Sequence, residues 1–374
     1  MTSGVTRRRV LHLINGEYFG GSARVLMNYL TASQRRSDVI VGTFFDGELL
    51  ERCRALGIET ARLRMAGRGD LRAVAAVARL ARRTGADVIH THQARNTLVG
   101  RLAGAAVGRP VVTHVHSPAF RESTHRASNL VVGSVDRVLA RGTARFICVS
   151  NSLATELHRL RIPADRIRVV WNGVPAPAAV DDTSRAAARA ALGIEPSAFA
   201  IGLVANLRPR KGADVLLRAI AAMPAGAHAV LVGQAFGDYR SELDALVREL
   251  GIGDRATFAG FRADVDRLLP GFDALALPAR FGEGLPMVVL EAMAAGVPVV
   301  ATPVEGIGEA VGQDAGILVP VDDPGALARA LQDLREQPDT RRRLASAGRE
   351  RFRANFTSDA MALGFEAVYD GLLA

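Results

Sequence analysis

The sequence predicts an α/β protein made of two βαβ domains, and three observations lead to that prediction. The chain has 374 residues, more than a single hydrophobic core usually supports. Hydrophobic residues make up 49% of it and aromatic residues only 5%, so aliphatic side chains fill the cores, as in helices packed on parallel sheets. Short β-branched segments alternate with Ala-, Leu- and Arg-rich helical segments, which is typical of Rossmann-type units.

Eleven segments are predicted as strands, five before and six after a stretch rich in proline at 173–179. These prolines indicate a short, stiff hinge. We therefore expect domains at 1–172 and 173–355, followed by a C-terminal helix over 356–374, for which a return to the first domain is one option. The predicted strands are 9–14, 38–43, 87–90, 110–115, 145–149, 199–204, 228–232, 256–259, 273–277, 297–301 and 316–319.

Charge is distributed unevenly along the chain. Residues 1–170 contain 27 Arg and 12 acidic residues, a net charge of +15, whereas residues 171–374 have a net charge of −6. A basic half attracts an anionic membrane surface, a nucleic acid or an anionic substrate. We expect no nucleic-acid partner, because no helix-turn-helix or RNA-binding motif is present and aromatic residues for base stacking are scarce.

The segment 121–145 combines basic and apolar residues at helical spacing, including Arg126, Arg137 and Arg141. Such a helix can lie in a membrane interface or simply pack on a sheet, and both options stay open. The first apolar stretch, 10–14, is too short for a signal peptide or a membrane span. We expect a cytoplasmic protein, with a peripheral position at the inner face of the membrane as an option.

The two cysteines support the same compartment. Cys53 and Cys148 lie far apart and lack CxxC or metal-site spacing. Reduced, buried thiols are therefore expected, as in cytoplasmic proteins.

Lys211 is the only lysine, against 46 arginines, and it follows the predicted strand 199–204. An ammonium group is a compact charge that suits a phosphate, whereas guanidinium suits planar, bidentate partners. A phosphate-holding loop usually consists of a strand, a tight turn, a lysine and then a helix start, which here is at Gly212. The alternative is chance, because a GC-rich composition removes lysines and one must survive somewhere.

A second motif follows the fourth strand of the second domain and contains Glu283 and Glu291. Pro286 fits the first turn of a helix, so the amides of Met287 and Val288 would face an anion. Eight residues at ~1.5 Å rise span roughly a nucleoside, so each carboxylate can meet one end of a sugar nucleotide. The alternative is that Glu283 caps the helix and Glu291 is solvated.

Read together, these motifs resemble a retaining glycosyltransferase of the GT-B fold, family GT4, also called group 1. Glu283 to Glu291 is similar to the family's E-x7-E element, Lys211 with Gly212 to its Lys-Gly turn, and 296–302 to the strand that follows. The resemblance covers nearly the whole chain, although the first half is similar mainly in layout. It implies two Rossmann-like domains facing each other across a cleft.

The resemblance also implies residue roles. Glu291 would accept hydrogen bonds from the ribose hydroxyls, Glu283 would contact the donor sugar, and Lys211 would neutralise the pyrophosphate. The family often has an arginine where this chain has Asn206, and whether Arg208 replaces it is left open. The donor site would further include Gly284, Leu285, Met287 and Val288, the last two holding phosphate through their amides.

Gly20 and Gly21 follow the first strand and would let the backbone approach a diphosphate or an acceptor at a helix start. The pair lacks the full Rossmann spacing, which disfavours a dinucleotide.

Histidines stand at the ends of two predicted strands, His90 and His92 on one and His114 and His116 on the next. Strand alternation places His114 and His116 on one face, at the edge where α/β proteins bind ligands. His116 is similar to the family histidine that contacts the donor sugar, and His92 with Asn96 would shape the acceptor side. The alternative for both histidines is a hydrogen-bonded structural role. No metal is expected, since further ligands at metal spacing are missing.

Asp264 and Asp266 form a DxD string, the metal-binding motif of a different glycosyltransferase fold. Here the string precedes a short helical stretch, so Asp264 is expected to be an N-cap. We therefore expect no cofactor and no metal. Lys211, Arg208 and helix-start amides would stabilise the leaving diphosphate.

These observations predict transfer of a sugar from a nucleoside-diphosphate sugar to an acceptor hydroxyl, such as a lipid-linked or cell-envelope glycan. The predicted catalytic residues are His116, Lys211, Glu283 and Arg208. The alternatives are an epimerase of the same fold, a non-catalytic sugar-nucleotide or anionic-surface binding protein, and a pyridoxal-phosphate enzyme using Lys211. Incubation with the donor alone distinguishes the first, because an epimerase forms product without an acceptor.

Overall fold

The computed structural model describes residues 7–65, 70–117, 140–178 and 180–374. Its contacts divide the chain into two compact units. Unit 1 consists of Met1–Pro175 together with Ser358–Ala374, and unit 2 consists of Ala176–Thr357. The basic segment 121–145 lies mostly outside the described residues, as do Arg126 and Arg137.

Unit 1 contains a seven-stranded parallel sheet. Its strands are β1 Arg9–Ile14, β2 Asp38–Thr43, β3 Glu59–Arg62, β4 Val88–His92, β5 Val111–Val115, β6 Arg145–Cys148 and β7 Ile167–Val169. Its described helices are α1 Gly21–Thr31, α2 Glu48–Ala55, α3 Leu71–Thr84, α4 Ala94–Val107, α5 Asn151–Arg159 and α14 Ser358–Leu373, with 3₁₀ turns Ala140–Gly142 and Ala164–Arg166. The strand order β3-β2-β1-β4-β5-β6-β7 places a topological switch point between β1 and β4, where doubly wound sheets bind ligands.

Unit 2 contains a six-stranded parallel sheet in the order β10-β9-β8-β11-β12-β13. These strands are β8 Phe199–Val204, β9 Ala227–Val232, β10 Ala256–Gly260, β11 Ala274–Leu277, β12 Val299–Ala301 and β13 Gly316–Leu318. The helices are α6 Asp182–Leu192, α7 Ala213–Ala222, α8 Tyr239–Glu249, α9 Val265–Leu268, α10 Met287–Ala295, α11 Gly306–Val311, α12 Pro324–Glu336 and α13 Pro338–Asn355, with 3₁₀ turns Pro209–Lys211, Gly253–Arg255 and Leu269–Gly271. Here the switch point lies between β8 and β11.

The prediction of an α/β protein with two parallel sheets is confirmed, and all eleven predicted strands form. Two further strands, β3 and β7, were missed. Both are sheet edges and both are short, with the sequences ETAR and IRV. An edge strand pairs on one side only and keeps charged side chains in water, so it lacks the continuous apolar run that identifies a buried strand.

The C-terminal helix α14 belongs to unit 1 and is held there by a buried carboxylate. Glu366 is fully buried and accepts hydrogen bonds from Tyr29 Oη (2.8 Å), from the Arg36 amide (2.9 Å) and from the amide and hydroxyl of Ser37 (3.0 and 2.8 Å). The Arg8 guanidinium lies 3.5 Å from the same carboxylate. In the described part of the chain, no helix has both the length and the apolar character that crossing a membrane requires.

Candidate functional site

Lys211 lies in the loop between β8 and α7, where it meets the loop that follows β11. Its ammonium group forms an ion pair with Glu283 Oε1, and Arg210 Nη1 donates to the same oxygen at 3.1 Å. Glu283 is 4% exposed, so the carboxylate is screened little by water. The three side chains carry one net positive charge, at the carboxyl end of the strands beside the switch point of unit 2.

Arg280, which the sequence analysis did not single out, holds this loop in place. Its guanidinium makes a bidentate pair with Asp214 on α7 (2.9 and 2.7 Å), bonds Asp322 at 2.5 Å and donates to the Pro209 carbonyl. Its backbone amide donates to the Arg210 carbonyl at 2.8 Å. The hydrogen bond to Asp214 raises the pKa of Arg280 above its usual value. Lys211 and Arg210 are thus positioned by a third cation, Arg280, whose charge is itself paired with Asp214 and Asp322.

Gly212 makes the close turn that places Lys211, and replacing it should be costly. Its φ is +72°, and a Cβ there would lie 2.0 Å from the Pro278 carbonyl oxygen. We expect Gly212→Ala to lower the free energy of unfolding by about 2–3 kcal/mol, since left-handed strain and a backbone clash add. Gly193 is the matched control, because it has a φ of +64° but nothing within 4 Å of the added Cβ. Urea unfolding measures both variants, and Gly193→Ala should lower the free energy of unfolding by about 1 kcal/mol. Equal losses of stability in the two variants would show that the structure relieves the clash at Gly212 at no cost.

Glu305 fixes the backbone of Glu283 from the other side. Its Oε2 accepts the Glu283 amide at 3.1 Å, and the Glu283 carbonyl accepts the Gly306 amide at 3.0 Å. Glu305 has a φ of +38°, in the left-handed region that non-glycine residues rarely adopt. Strained residues of this kind cluster at ligand sites. No local sequence pattern indicates this residue, because strain is a property of the folded backbone.

Helix α10 begins at Met287, so Pro286 is the N-cap and not part of the first turn as predicted. The prediction for the amides is unaffected, because the N–H groups of Met287 and Val288 have no acceptor within the helix. Glu291 lies one turn further along and is half-buried. The remaining predicted donor-site residues, Gly284 and Leu285, are buried directly before the helix.

Arg208 is exposed, and its guanidinium lies 4.2 Å from the centre of the Phe236 ring. A guanidinium stacked on an aromatic face keeps its N–H groups pointing outward in its own plane, where they can still donate hydrogen bonds. Arg208 therefore lies in the same loop as Lys211 without joining the ion pair with Glu283.

Asp264 does occupy the N-cap position of α9, but its side chain does not make the expected capping hydrogen bond. Its carboxylate instead takes a bidentate pair from Arg262, at 2.8 and 2.7 Å. A guanidinium two residues away competes successfully with the helix amides because its bonds are charge-assisted on both sides. This hydrogen bonding lowers the pKa of Asp264 to about 2.

In unit 1, Gly20 and Gly21 form the start of α1. Gly20 is the N-cap with a φ of −99°, and an added Cβ at either glycine would meet nothing within 4 Å. The fold itself does not require glycine here, and the space before the helix start is open. Gln93, at the end of β4 with a φ of +71°, accepts the Asn15 amide and donates to Ser22 Oγ, each at 3.1 Å.

Five histidines form a cluster along β1, β4 and β5. Four of them are buried, namely His12, His90, His92 and His114, whereas His116 directly after β5 is partly exposed. His12, which the sequence analysis did not single out, pairs in register with His90, and His92 pairs with His114. His92 is central, because its Nδ1 lies 2.9 Å from His116 Nε2 and its Nε2 lies 3.1 Å from His12 Nδ1. As predicted, His114 and His116 share one face of the sheet, with ring centres 4.0 Å apart.

Burial keeps these imidazoles neutral. It lowers the pKa of His116 to about 4 and, with Arg35, that of His12 to about 3. Burial and the neighbouring imidazoles lower the pKa of His90, His92 and His114 well below the usual value.

Two trios of ring nitrogens lie close enough to be considered for a metal ion, His12 with His90 and His92, and His92 with His114 and His116. In each trio two of the residues already share a hydrogen bond through His92. One nitrogen of each such contact carries a proton. These contacts join the imidazoles into a hydrogen-bonded network.

His92 and Asn96, the predicted acceptor-side residues, are both fully buried. Asn96 Nδ2 donates to the His92 carbonyl at 2.6 Å and to Gln93 Oε1 at 3.2 Å. Any influence of these two residues on an acceptor therefore passes through Gln93 and His116.

Comparison with known proteins identifies the family of the chain. Residues 19–176 match the model of Glycosyltransferase Family 4, and residues 184–351 match that of Glycosyl transferases group 1. The D-inositol 3-phosphate glycosyltransferase of Mycolicibacterium gilvum is 33% identical over 292 residues, covering 75% of this chain and 65% of that protein. The enzyme of the same name from Saccharomonospora viridis is 34% identical over 300 residues, covering 74% and 68%. The chain thus spans about two thirds of the length of these curated relatives.

A solved structure gives the same result for the fold. The crystal structure of Anabaena Alr3699/HepE in complex with UDP and glucose superposes with a TM-score of 0.88 at 26% identity, covering 98% of this chain and 100% of that one. The predicted GT-B fold class is thereby confirmed. From the two family models, the curated relatives and this superposition, we conclude that the chain belongs to glycosyltransferase family 4, the group 1 glycosyl transferases.

Proposed function

We propose that this enzyme transfers a glycosyl group from a nucleoside-diphosphate sugar to an acceptor hydroxyl, with retention at the anomeric carbon. The observation that carries the proposal is the cluster of Lys211, Arg210 and Glu283, with one net positive charge, in the same unit as the α10 amides and Glu291. A diphosphate needs that charge and those amides, and a ribose diol suits a carboxylate one helical turn away. The Anabaena relative, crystallised with UDP-glucose as well, supports a uridine donor.

The reaction follows from this assignment. The acceptor oxygen forms a bond to the anomeric carbon as the bond to the diphosphate breaks, and the departing phosphate oxygen takes the acceptor proton. Lys211 and the amides of Met287 and Val288 stabilise the charge that develops on the leaving group. His116 and Glu283 are assigned to the donor sugar, and Arg208 is assigned to the phosphate. No divalent cation takes part in this assignment.

The first substrates to test are UDP-glucose as donor and D-inositol 3-phosphate as acceptor, the latter because the curated relatives carry that name. An anionic acceptor also suits the net charge of +15 on residues 1–170. Product analysis by mass spectrometry and anomeric NMR tests the proposal. Release of UDP together with a new α-linked product supports transfer with retention, whereas epimer formed from donor alone, or intact donor with every acceptor, contradicts it.

Glu291→Ala should weaken binding of free UDP by about 1–3 kcal/mol, because two ribose hydroxyls lose a charged acceptor. Isothermal titration calorimetry measures this directly. Glu242, exposed on α8 of the same unit, provides the matched variant Glu242→Ala, which should bind UDP as the unmodified protein does. Equal affinity of all three proteins would remove the ribose assignment.

We further propose a peripheral position at an anionic membrane, which the basic unit 1 supports, with a lipid-linked glycan as the second acceptor to test. Each basic residue near such a surface contributes about 1 kcal/mol at most, and salt screens it over roughly 10 Å at 0.1 M. Binding to vesicles containing phosphatidylserine should fall steeply with added salt. Arg126, Arg137 and Arg141 replaced together by Gln should weaken it while UDP affinity stays unchanged. Salt-independent binding, or none, would contradict the membrane part of the proposal.

A further inference from the structure

The loop that follows β12 ends in a tight turn, and a glutamate occupies the position in this turn that favours glycine. The Ile307 amide donates to the Val304 carbonyl at 3.0 Å, which closes the turn. Glu305, its second residue, has a φ of +38° and a ψ of −117°. These angles are those of a type II′ turn, whose second residue is usually glycine because a Cβ is strained there. Gly306 follows directly, one residue after the position at which it would relieve the strain.

The Glu305 side chain makes a contact that glycine could not make. Its Oε2 accepts the Glu283 amide at 3.1 Å, and the neighbouring Gly306 amide donates to the Glu283 carbonyl at 3.0 Å. The turn therefore binds both polar groups of the residue 283 backbone. Thr302 Oγ1 donates to the Ala279 carbonyl and joins the same two loops. The strained glutamate is thus one of the contacts that fix residue 283.

The Glu283 side chain is held at its other end as well. Lys211 and Arg210 both hydrogen-bond to its Oε1, and neither of these bonds uses Oε2. The side chain is only 5% exposed. A carboxylate that is held at its backbone and at one oxygen keeps the second oxygen in a defined place. Such an oxygen is a strong acceptor for a hydroxyl group of a ligand.

Stability alone does not account for a glutamate in this turn. Glycine would adopt the same angles without strain. The bonds from Gly306 to Glu283 and from Thr302 to Ala279 would still join the two loops. Strain of this kind is concentrated at ligand sites, where the position of a side chain matters more than the stability of the loop. The contact to the Glu283 amide is the feature that glutamate adds.

We propose that Glu305 is a positioning residue that holds Glu283 so that its Oε2 accepts a hydroxyl group of the donor sugar. This inference rests on the proposed function, which assigns Glu283 to the sugar of a nucleoside-diphosphate sugar. Glu305 acts through Glu283 alone. The ribose is assigned to Glu291 and the diphosphate to Lys211 and the α10 amides, so binding of the nucleotide depends little on Glu305.

Isothermal titration calorimetry with UDP-glucose and with UDP, in the absence of an acceptor, separates the sugar from the nucleotide. Glu305→Ala should weaken UDP-glucose binding about 10-fold, because the Glu283 amide loses a charged acceptor. UDP affinity should change less than about threefold, since other residues hold the nucleotide. Glu305→Gln keeps an oxygen for the same amide and should bind UDP-glucose within about threefold of the unmodified protein. Equal losses for the two ligands, or no loss for either, would overturn the proposal.

A double-mutant cycle tests whether Glu305 acts through Glu283. In a Glu283→Ala background, the further change Glu305→Ala should alter UDP-glucose affinity less than about twofold, because the side chain that Glu305 positions is already absent. Glu242→Ala, at an exposed position of α8, is the control and should have no effect in either background. Losses that multiply in the double variant would show that Glu305 acts independently of Glu283 and would overturn the proposal.

The turn itself is tested without any ligand. Glu305→Gly relieves the strain that Glu305→Ala retains, so the glycine variant should melt about 2–4 °C above the alanine variant. At Glu242, inside helix α8, the order should reverse because glycine destabilises a helix. An alanine variant at position 305 that melts as high as the glycine variant would overturn the assignment of strain.

Hydrogen exchange of the Glu283 amide, measured by NMR, reports on the contact directly. Exchange should quicken at least about 10-fold in Glu305→Ala and Glu305→Gly and stay slow in Glu305→Gln. Unchanged exchange in all three variants would mean that Glu305 does not hold residue 283. If the unmodified protein bound neither UDP-glucose nor UDP, the proposed function would fail, whereas the exchange and melting results would still decide whether Glu305 holds Glu283.

Discussion

Lowering the pH from 7 to 5 should destabilise the protein by about 4 kcal/mol through His12 and His116 together. The pKa of each is lowered in the folded state, to about 3 and about 4, against about 6.5 in an unfolded chain. Below pH 6.5 the unfolded chain binds protons that the folded protein does not. The stabilisation is therefore complete above pH 6.5 and is lost as the pH falls towards 4.

His90, His92 and His114 act in the same direction, because their pKa values are also lowered. Urea unfolding at pH 7, 6 and 5 measures the effect, and its slope gives the number of protons taken up. His116→Gln should reduce that number by about one. His158→Gln, at an exposed position of α5, is the control and should leave the slope as it is. A stability that is flat from pH 7 to 5 would mean that the cluster is not neutral in the folded protein.

Lys211→Met should reduce kcat about 1,000-fold while changing stability by about 1 kcal/mol or less. The loss of rate is expected because a preorganised charge on a developing phosphate anion contributes on this scale. Stability should change little because Glu283 keeps its 3.1 Å hydrogen bond to Arg210 and the loop keeps its contacts to Arg280. Turnover per folded molecule and the melting temperature separate the two effects.

Two controls sharpen this experiment. Arg248→Met removes an exposed cation from α8 of the same unit and should leave kcat unchanged. It therefore controls for the change in net charge that Lys211→Met also makes. EDTA should leave the activity of the unmodified enzyme largely intact, because Lys211 and not a metal ion is assigned to the diphosphate. A large fall in melting temperature with normal turnover would make Lys211 a structural residue, and rescue of an EDTA-treated enzyme by Mg²⁺ would contradict the metal-free assignment.

The sequence by itself determined the class of fold and singled out the two loops that meet through Lys211 and Glu283 in unit 2. Strands such as Phe199–Val204 are buried on both faces of a parallel sheet and therefore appear as continuous apolar runs. Lys211 and Glu283 could be found because each follows such a run, and the carboxyl ends of parallel strands meet at one edge. Local order along the chain was sufficient for these predictions.

Only the tertiary structure decided which side chains share a hydrogen bond. Asp264 was expected to cap its helix, yet Arg262 takes its carboxylate. His12 and Tyr369 are 357 residues apart, and nothing in the sequence near either one indicates their contact. Contacts of this kind arise when the sheet and α14 pack together, so they are absent from any local pattern of residues.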